Sequence, residues 1–142
     1  MSRMHIHIAV ADLAQNIGFY STLFGTAPTV SKPDYAKWEL ADPAVNFAIS
    51  SRGGAPGLDH VGIQTDDEAE LAAIRARLQQ AGIAGHRQDA TACCYARSDK
   101  YWTQDPQGIA WEAFHTLETI PTFSSTPGDG ASCVPVAGTS CC

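Results

Sequence analysis

Two adjacent cysteines, Cys93 and Cys94, stand in the second half of a 142-residue chain whose other cysteines, Cys133, Cys141 and Cys142, all fall at its far end. Thiolate sulfur is the ligand that soft, thiophilic centres prefer, so two sulfurs aimed at one such centre would chelate it. A disulfide between immediate neighbours would instead close a strained small ring. On a regular strand neighbouring side chains point to opposite faces, so the pair acts together only if the chain bulges or turns there. The bland alternative is one buried small hydrophobe beside one idle thiol.

A second constellation is spread along the chain. His5 lies seven residues before Asp12, and His60 lies seven before Asp67, so the two imidazoles occupy matching places in two similar stretches. Glu112 follows the turn signal Asp105-Pro106-Gln107-Gly108 in an apolar context, where an unpaired carboxylate would be costly and a divalent cation would offset the cost. Two imidazoles and one carboxylate with open positions suit Fe(II) sites that take oxygen and substrate together. Each of these residues could equally be a satisfied core or solvated strand residue; the register is what lifts the histidines. His7 shares a strand face with His5 and is read as a cavity wall or a group behind the ligands. His86 and His115 have no register support and are read as structural or exposed.

The elements that must position these groups repeat. Met4 to Val10 alternates as a half-buried strand, and Asp12 with Gln15 opens a helix to about Phe24, with Leu13, Ile17, Tyr20 and Phe24 on one face and Gly25 as its stop. Phe19 and Tyr20 are both read as core. Strands follow near Thr29–Lys32, Tyr35–Leu40 and Val45–Ser50. After the link Arg52-Gly53-Gly54-Ala55-Pro56-Gly57 the order begins again. A strand runs over His60–Thr65, and Thr65 with Glu68 caps a helix whose apolar face is Leu71, Ile74, Leu78 and Ala81. Strands near Ile83–Gln88, Cys93–Arg97 and Ile109–His115 complete the half. Ser98-Asp99-Lys100 reads as a turn, so Tyr95, Lys100, Tyr101 and Trp102 would lie on a loop that either closes over a substrate or, as such loops more often do, only connects strands. The spacing predicts an α+β fold of two βαβββ modules, about residues 1–52 and 57–118, each covering a sheet face of the other. Residues 119–142 read as a flexible, Cys-containing tail.

Composition bounds the partners. A net charge of −6 with 44% hydrophobic and 17% charged residues describes a mildly acidic globular domain, and argues against nucleic acid and anionic membrane as partners. The opening MSRMHIHIAV fits neither a secretory signal nor a membrane span. The expected compartment is the cytoplasm, where cysteines serve as thiols, metal ligands or reactive groups more than as structural bridges.

His5-x-x-x-x-Val10-x-Asp12-Leu13, Phe19-Tyr20, Leu23-Phe24-Gly25, Leu58-Asp59-His60-Val61-Gly62 and Asp105-Pro106-x-Gly108-x-x-x-Glu112 together resemble the vicinal oxygen chelate superfamily, which includes glyoxalases, extradiol dioxygenases and resistance proteins. The resemblance spans residues 4 to 116. It implies paired βαβββ modules forming a cup-shaped mixed sheet around one metal site, with His5, His60 and Glu112 as ligands and catalytic centre. Glyoxalase-like members carry a further carboxylate near the end of the first half. Residues 42–49 offer none here, which favours an oxygenase over an isomerase. Thr91-Ala92-Cys93-Cys94-Tyr95-Ala96, with Asp99-Lys100-x-Trp102 and the opening Met1-Ser2-Arg3, resembles the heavy-metal resistance branch that contains cadmium-induced proteins and organoarsenical carbon–arsenic lyases. That resemblance implies Fe(II)- and O2-dependent cleavage of trivalent organoarsenicals such as methylarsenite and aromatic arsenicals, releasing arsenite, with Cys93 and Cys94 holding the arsenic. Related modules pair, so a homodimer is compatible with it. Lyase-like members can carry Gln where this chain has His5, which brings its ligand set nearer to that of ring-opening dioxygenases. The alternatives are a thiol-based cadmium or arsenite binder without chemistry, and another metal-dependent dioxygenase or glyoxalase-like enzyme on the same scaffold.

Overall fold

The computed structural model describes residues 1–123. Residues 124–142 of the expected tail, with Cys133, Cys141 and Cys142, therefore lie outside the described residues. The first half contains β1 (Arg3–Ala9), α1 (Leu13–Phe24), β2 (Val30–Lys32), β3 (Tyr35–Ala41) and β4 (Ala44–Ser50). The second contains β5 (Gly57–Gln64), α2 (Glu68–Gln80), β6 (Gly85–Cys93), β7 (Ala96–Gln104) and β8 (Ala110–Thr119). All eight strands join one mixed sheet in the order β2-β3-β4-β1-β5-β8-β7-β6. Read outward from the central β1–β5 pair, each half runs in the same order, so the two βαβββ units are related by a local two-fold. Within each half the first and last strands are parallel, β1 with β4 and β5 with β8; β1 and β5 are antiparallel.

Local chemistry sets the boundaries. Asp12 is extended and its Oδ1 accepts from Gln15 N at 2.9 Å, which satisfies one of the orphan donors of α1. Gly25 closes that helix in the left-handed conformation at φ 68°, where a side chain would be strained. Asp67 caps α2 in the same manner, accepting from Glu70 N at 2.9 Å. The expected Thr65 cap is thus displaced by two residues. Thr65 Oγ1 is already committed to Phe114 O and Asp67 O, both at 3.1 Å, and ties β5 to β8 instead.

Alternation along the strands divides apolar bulk from chemistry. On β4, Val45, Phe47 and Ile49 turn outward against α1, where Leu13, Ile17, Tyr20 and Phe24 meet Val10, Ala36 and the fully buried Trp38. Asn46, Ala48 and Ser50 turn the other way. Truncating Phe47 to Ala would cost about 3–5 kcal/mol by the usual scale for buried aromatics. In the second half Leu71, Ile74 and Leu78 of α2 cover Tyr101 and Ala113, while Glu112 turns inward. Phe19, read as core, is 60% exposed, because it sits one position off the helix stripe that Tyr20 occupies. Among the described residues no helix is long and apolar enough to cross a membrane.

The expected loop over Ser98-Asp99-Lys100 does not exist: β7 is continuous from Ala96 to Gln104 and pairs with both β6 and β8. Polar residues continue the strand there because Ser98 and Lys100 face a polar interior. The chain turns earlier, at Cys94 and Tyr95.

Candidate metal and thiol site

The inward faces of the strands line a cavity that includes His5, His60, Cys93, Cys94, Lys100 and Glu112. Three donor atoms converge at its floor. His5 Nε2 lies 3.1 Å from His60 Nε2, His60 Nε2 lies 3.2 Å from Glu112 Oε2, and His5 Nε2 lies 3.7 Å from Glu112 Oε2. Donors bound at roughly 2.1 Å to one cation stand about 3.0–3.4 Å apart at tetrahedral or octahedral angles, so this triangle fits a divalent ion with little movement.

Each imidazole is oriented from behind. His5 Nδ1 faces Asn46 O at 3.0 Å, and His60 Nδ1 faces Asp59 Oδ1 at 2.7 Å. Both bonds fix the Nδ1–H form and turn Nε2 to the floor, the arrangement that metal-bound histidines usually show. Glu112 is brought beside His60 by close strand pairing. Gly62 faces Glu112 across β5 and β8, and a Cβ on residue 62 would stand 2.0 Å from the Glu112 carbonyl oxygen. Only glycine permits that approach.

The electrostatics are those of a buried charge cluster. Burial alone would raise the Glu112 carboxyl, but the Lys100 ammonium and the His60 bond outweigh it and hold it well below the usual carboxylate range. Lys100 Nζ donates to Glu112 Oε1 at 2.6 Å, leaving Oε2 toward the histidines. Burial, and after it the His60 charge, lower His5 to about 4, so His5 is neutral and its contact with Glu112 is no ion pair. Burial also opposes charge on His60, but the bonds from Asp59 and Glu112 prevail and raise it to about 9. His7 is buried and held neutral, chiefly by desolvation. Its Nε2 bonds Ser50 Oγ at 2.8 Å.

Cys93 ends β6 and Cys94 begins a two-residue turn that returns as β7, with Cys93 paired to Ala96. Both turn residues, Cys94 and Tyr95, have positive φ, 56° and 61°. This is the geometry that hairpins usually assign to Asn-Gly, and it carries strain on two side-chain-bearing residues. It also resolves the problem of neighbouring thiols. The left-handed backbone swings Cys94 to the same side as Cys93, and the two Sγ atoms stand 2.9 Å apart. Cys93 takes part in a disulfide. Burial pushes the Cys94 thiol up to about 12, against the pull of Lys100.

Tyr95 is anchored across the mouth. Its hydroxyl donates to Asp34 Oδ1, while Arg52 Nη1 donates to Asp34 Oδ2 at 2.5 Å. Its ring packs on Tyr35 and Phe123. Of the residues expected to form a lid or line the site, Lys100 reaches the cup floor and Tyr95 its rim. Tyr101 points away, under α2, because it alternates with Lys100 along β7. Reading residue types missed Asn46, Asp59, Gly62 and Asp34. Asp59 adjoins a candidate ligand and could have been found; Asp34 could not, since its role depends on two distant hairpins meeting.

The profile of the Glyoxalase/Bleomycin resistance protein/Dioxygenase superfamily matches residues 3–113. A trivalent organoarsenical cleaving enzyme of Thermomonospora curvata is 36% identical over the full length of both chains. A cadmium-induced protein, CadI, of Mycobacterium bovis is 37% identical over 89% of this chain and 84% of its own. Among solved structures, the 2,3-dioxygenase LapB from Pseudomonas sp. KL28 superposes with a TM-score of 0.64 at 21% identity, covering 87% of this chain and 44% of that one. The fold, the repeated half and the matched span agree: this chain belongs to the glyoxalase/bleomycin resistance protein/dioxygenase superfamily.

Proposed function

We propose that the protein is an Fe(II)- and O2-dependent enzyme that cleaves the carbon–arsenic bond of trivalent organoarsenicals and releases arsenite. The observation that carries this reading is the meeting of two sulfurs and two imidazoles with a carboxylate in one cavity. The organoarsenical cleaving relatives support the substrate class.

Capture begins with both sulfurs as thiols, so the Cys93 disulfide is first reduced by a small thiol or dithiol. A trivalent arsenical bearing one organic group and two hydroxyls then exchanges each hydroxyl for a sulfur. Two As–S bonds form, two As–O bonds break, and each S–H proton leaves with a hydroxide as water. A neutral Cys94 thiol suits this step, because the proton it carries is the one the leaving hydroxide needs. Two As–S bonds fix the remaining organic group relative to the cup floor, which is an orientation effect. His5, His60 and Glu112 would hold Fe(II), which supplies activation of oxygen when bound. Lys100 keeps Glu112 ionised and turned toward the cation, and Asp59 and Asn46 keep the imidazoles aimed. Tyr35, Trp102 and Phe114 wall the cup and limit water. Action on a small soluble substrate fits a cytoplasmic protein that needs neither nucleic acid nor membrane; a homodimer is compatible with it.

The test is anaerobic loading of the reduced protein with Fe(II), then methylarsenite, with and without air. Arsenite should appear only with air and iron, with matching oxygen uptake. Bound arsenical that is never cleaved would sink the enzyme reading in favour of a thiol-based binder.

A further inference from the structure

His7 is a buried group beside His5 and His60 that the proposed function leaves unused. Its Nδ1 is, among the described residues, the buried side-chain nitrogen or oxygen without a hydrogen-bond partner. If Nε2–H donates to Ser50 Oγ, Nδ1 carries a bare lone pair; if Ser50 donates, Nδ1 carries a hydrogen with no acceptor. The first arrangement costs less and is the ligating form of imidazole. His7, His5 and His60 also offer donor atoms that all lie within 4.8 Å of one another.

The two-fold relation of the halves explains why a donor sits there. In the second half Gly62 pairs with Glu112, glycine on the first strand and carboxylate on the last. In the first half the corresponding pair is His7 and Ala48, with the small residue on the last strand and the imidazole on the first. Ala48 is fully buried and is the strand partner of His7. The first half has thus exchanged which strand bears the donor.

We infer that His7 is a fourth protein ligand of the cup's cation, taking the place that a carboxylate at residue 48 would fill. This rests on the reading of His5, His60 and Glu112 as metal ligands. Two donors on one cation at about 2.1 Å are at most about 4.2 Å apart, a span close to the 4.8 Å within which the three histidine donors lie. Four protein donors leave two positions of a six-coordinate cation for other ligands, where three would leave three. That suits a substrate held by sulfur rather than by chelation of the metal.

Anaerobic titration of the reduced, metal-free protein with Co(II), followed by its visible absorption, tests the assignment. Wild type should bind one Co(II). His7→Ala and the volume-keeping His7→Leu should bind it at least about tenfold more weakly and with altered band intensity. The exchange variant His7→Ala with Ala48→Glu should regain affinity. Wild-type affinity and spectrum in both single variants would overturn the inference and leave the metal reading standing. A wild type that takes up no Co(II) would overturn both. Should His7→Ala fail to fold, His7→Leu carries the comparison.

Discussion

The β2–β3 and β6–β7 hairpins are counterparts in the two halves, and each has two residues between its strands: Pro33 and Asp34 in the first, Cys94 and Tyr95 in the second. The tips meet across the mouth of the cup, Asp34 accepting from Tyr95 and Arg52. Proline at the first position needs no strain, whereas Cys94 and Tyr95 sit in left-handed backbone that side-chain-bearing residues avoid. One tip is a mooring and the other a moored, strained device. The same division recurs on the floor, where His5 and His60 match but Ala48 and Glu112 do not. The two halves share the cup, and they differ at the residues to which the proposed chemistry is assigned.

The comparison breaks most severely at Glu112. Glu112→Gln removes the charge that Lys100 and the cation share, and iron content of the purified protein should fall with affinity lowered more than about 100-fold; turnover should vanish with it. Cys94→Ser should leave iron content intact and weaken retention of methylarsenite about 100-fold, since one sulfur loses the chelate advantage; equilibrium dialysis reads this directly. Gly62→Ala places a methyl against the Glu112 carbonyl, so a thermal melt should show a loss of about 1–3 kcal/mol, and cation affinity should drop as β8 is pushed away.

A pH titration sharpens the contrast between the two histidines. His60 holds a proton up to about 9 and His5 releases its own near 4. A cation entering at neutral pH must therefore displace one proton, from His60. Apparent affinity should climb about tenfold per pH unit from 6.5 toward 9 and then level; a flat profile would mean that His60 enters already neutral. The smallest effect belongs to Asp34→Ala. It frees the Tyr95 tip without touching the floor, so KM for the arsenical should rise severalfold with little change in kcat.

Much of this was legible from residue order because it depends on local patterning. Helix stripes, the Asp12 cap and the seven-residue offsets before Asp12 and Asp67 place the halves, and the offsets alone select His5 and His60 from five histidines. The position of the turn was not legible. Ser98-Asp99-Lys100 has turn-like residues, yet the cup's polar interior lets Ser98 and Lys100 serve as strand residues, while the turn falls on Cys-Tyr against its own propensity. The exchange of His7 for Gly62 and Ala48 for Glu112 became visible only through strand register. Sequence spacing carries no information on which residues face each other across parallel strands.

The central claim is that a molecule held by Cys93 and Cys94 lies beside the cation held at the floor. The most direct measurement is the NMR linewidth of the methyl group of bound methylarsenite in the reduced protein, loaded with paramagnetic Co(II) in one sample and diamagnetic Zn(II) in the other. Strong broadening with Co(II) alone is the predicted result. Equal linewidths in the two samples would place the arsenical away from the cation and contradict the account.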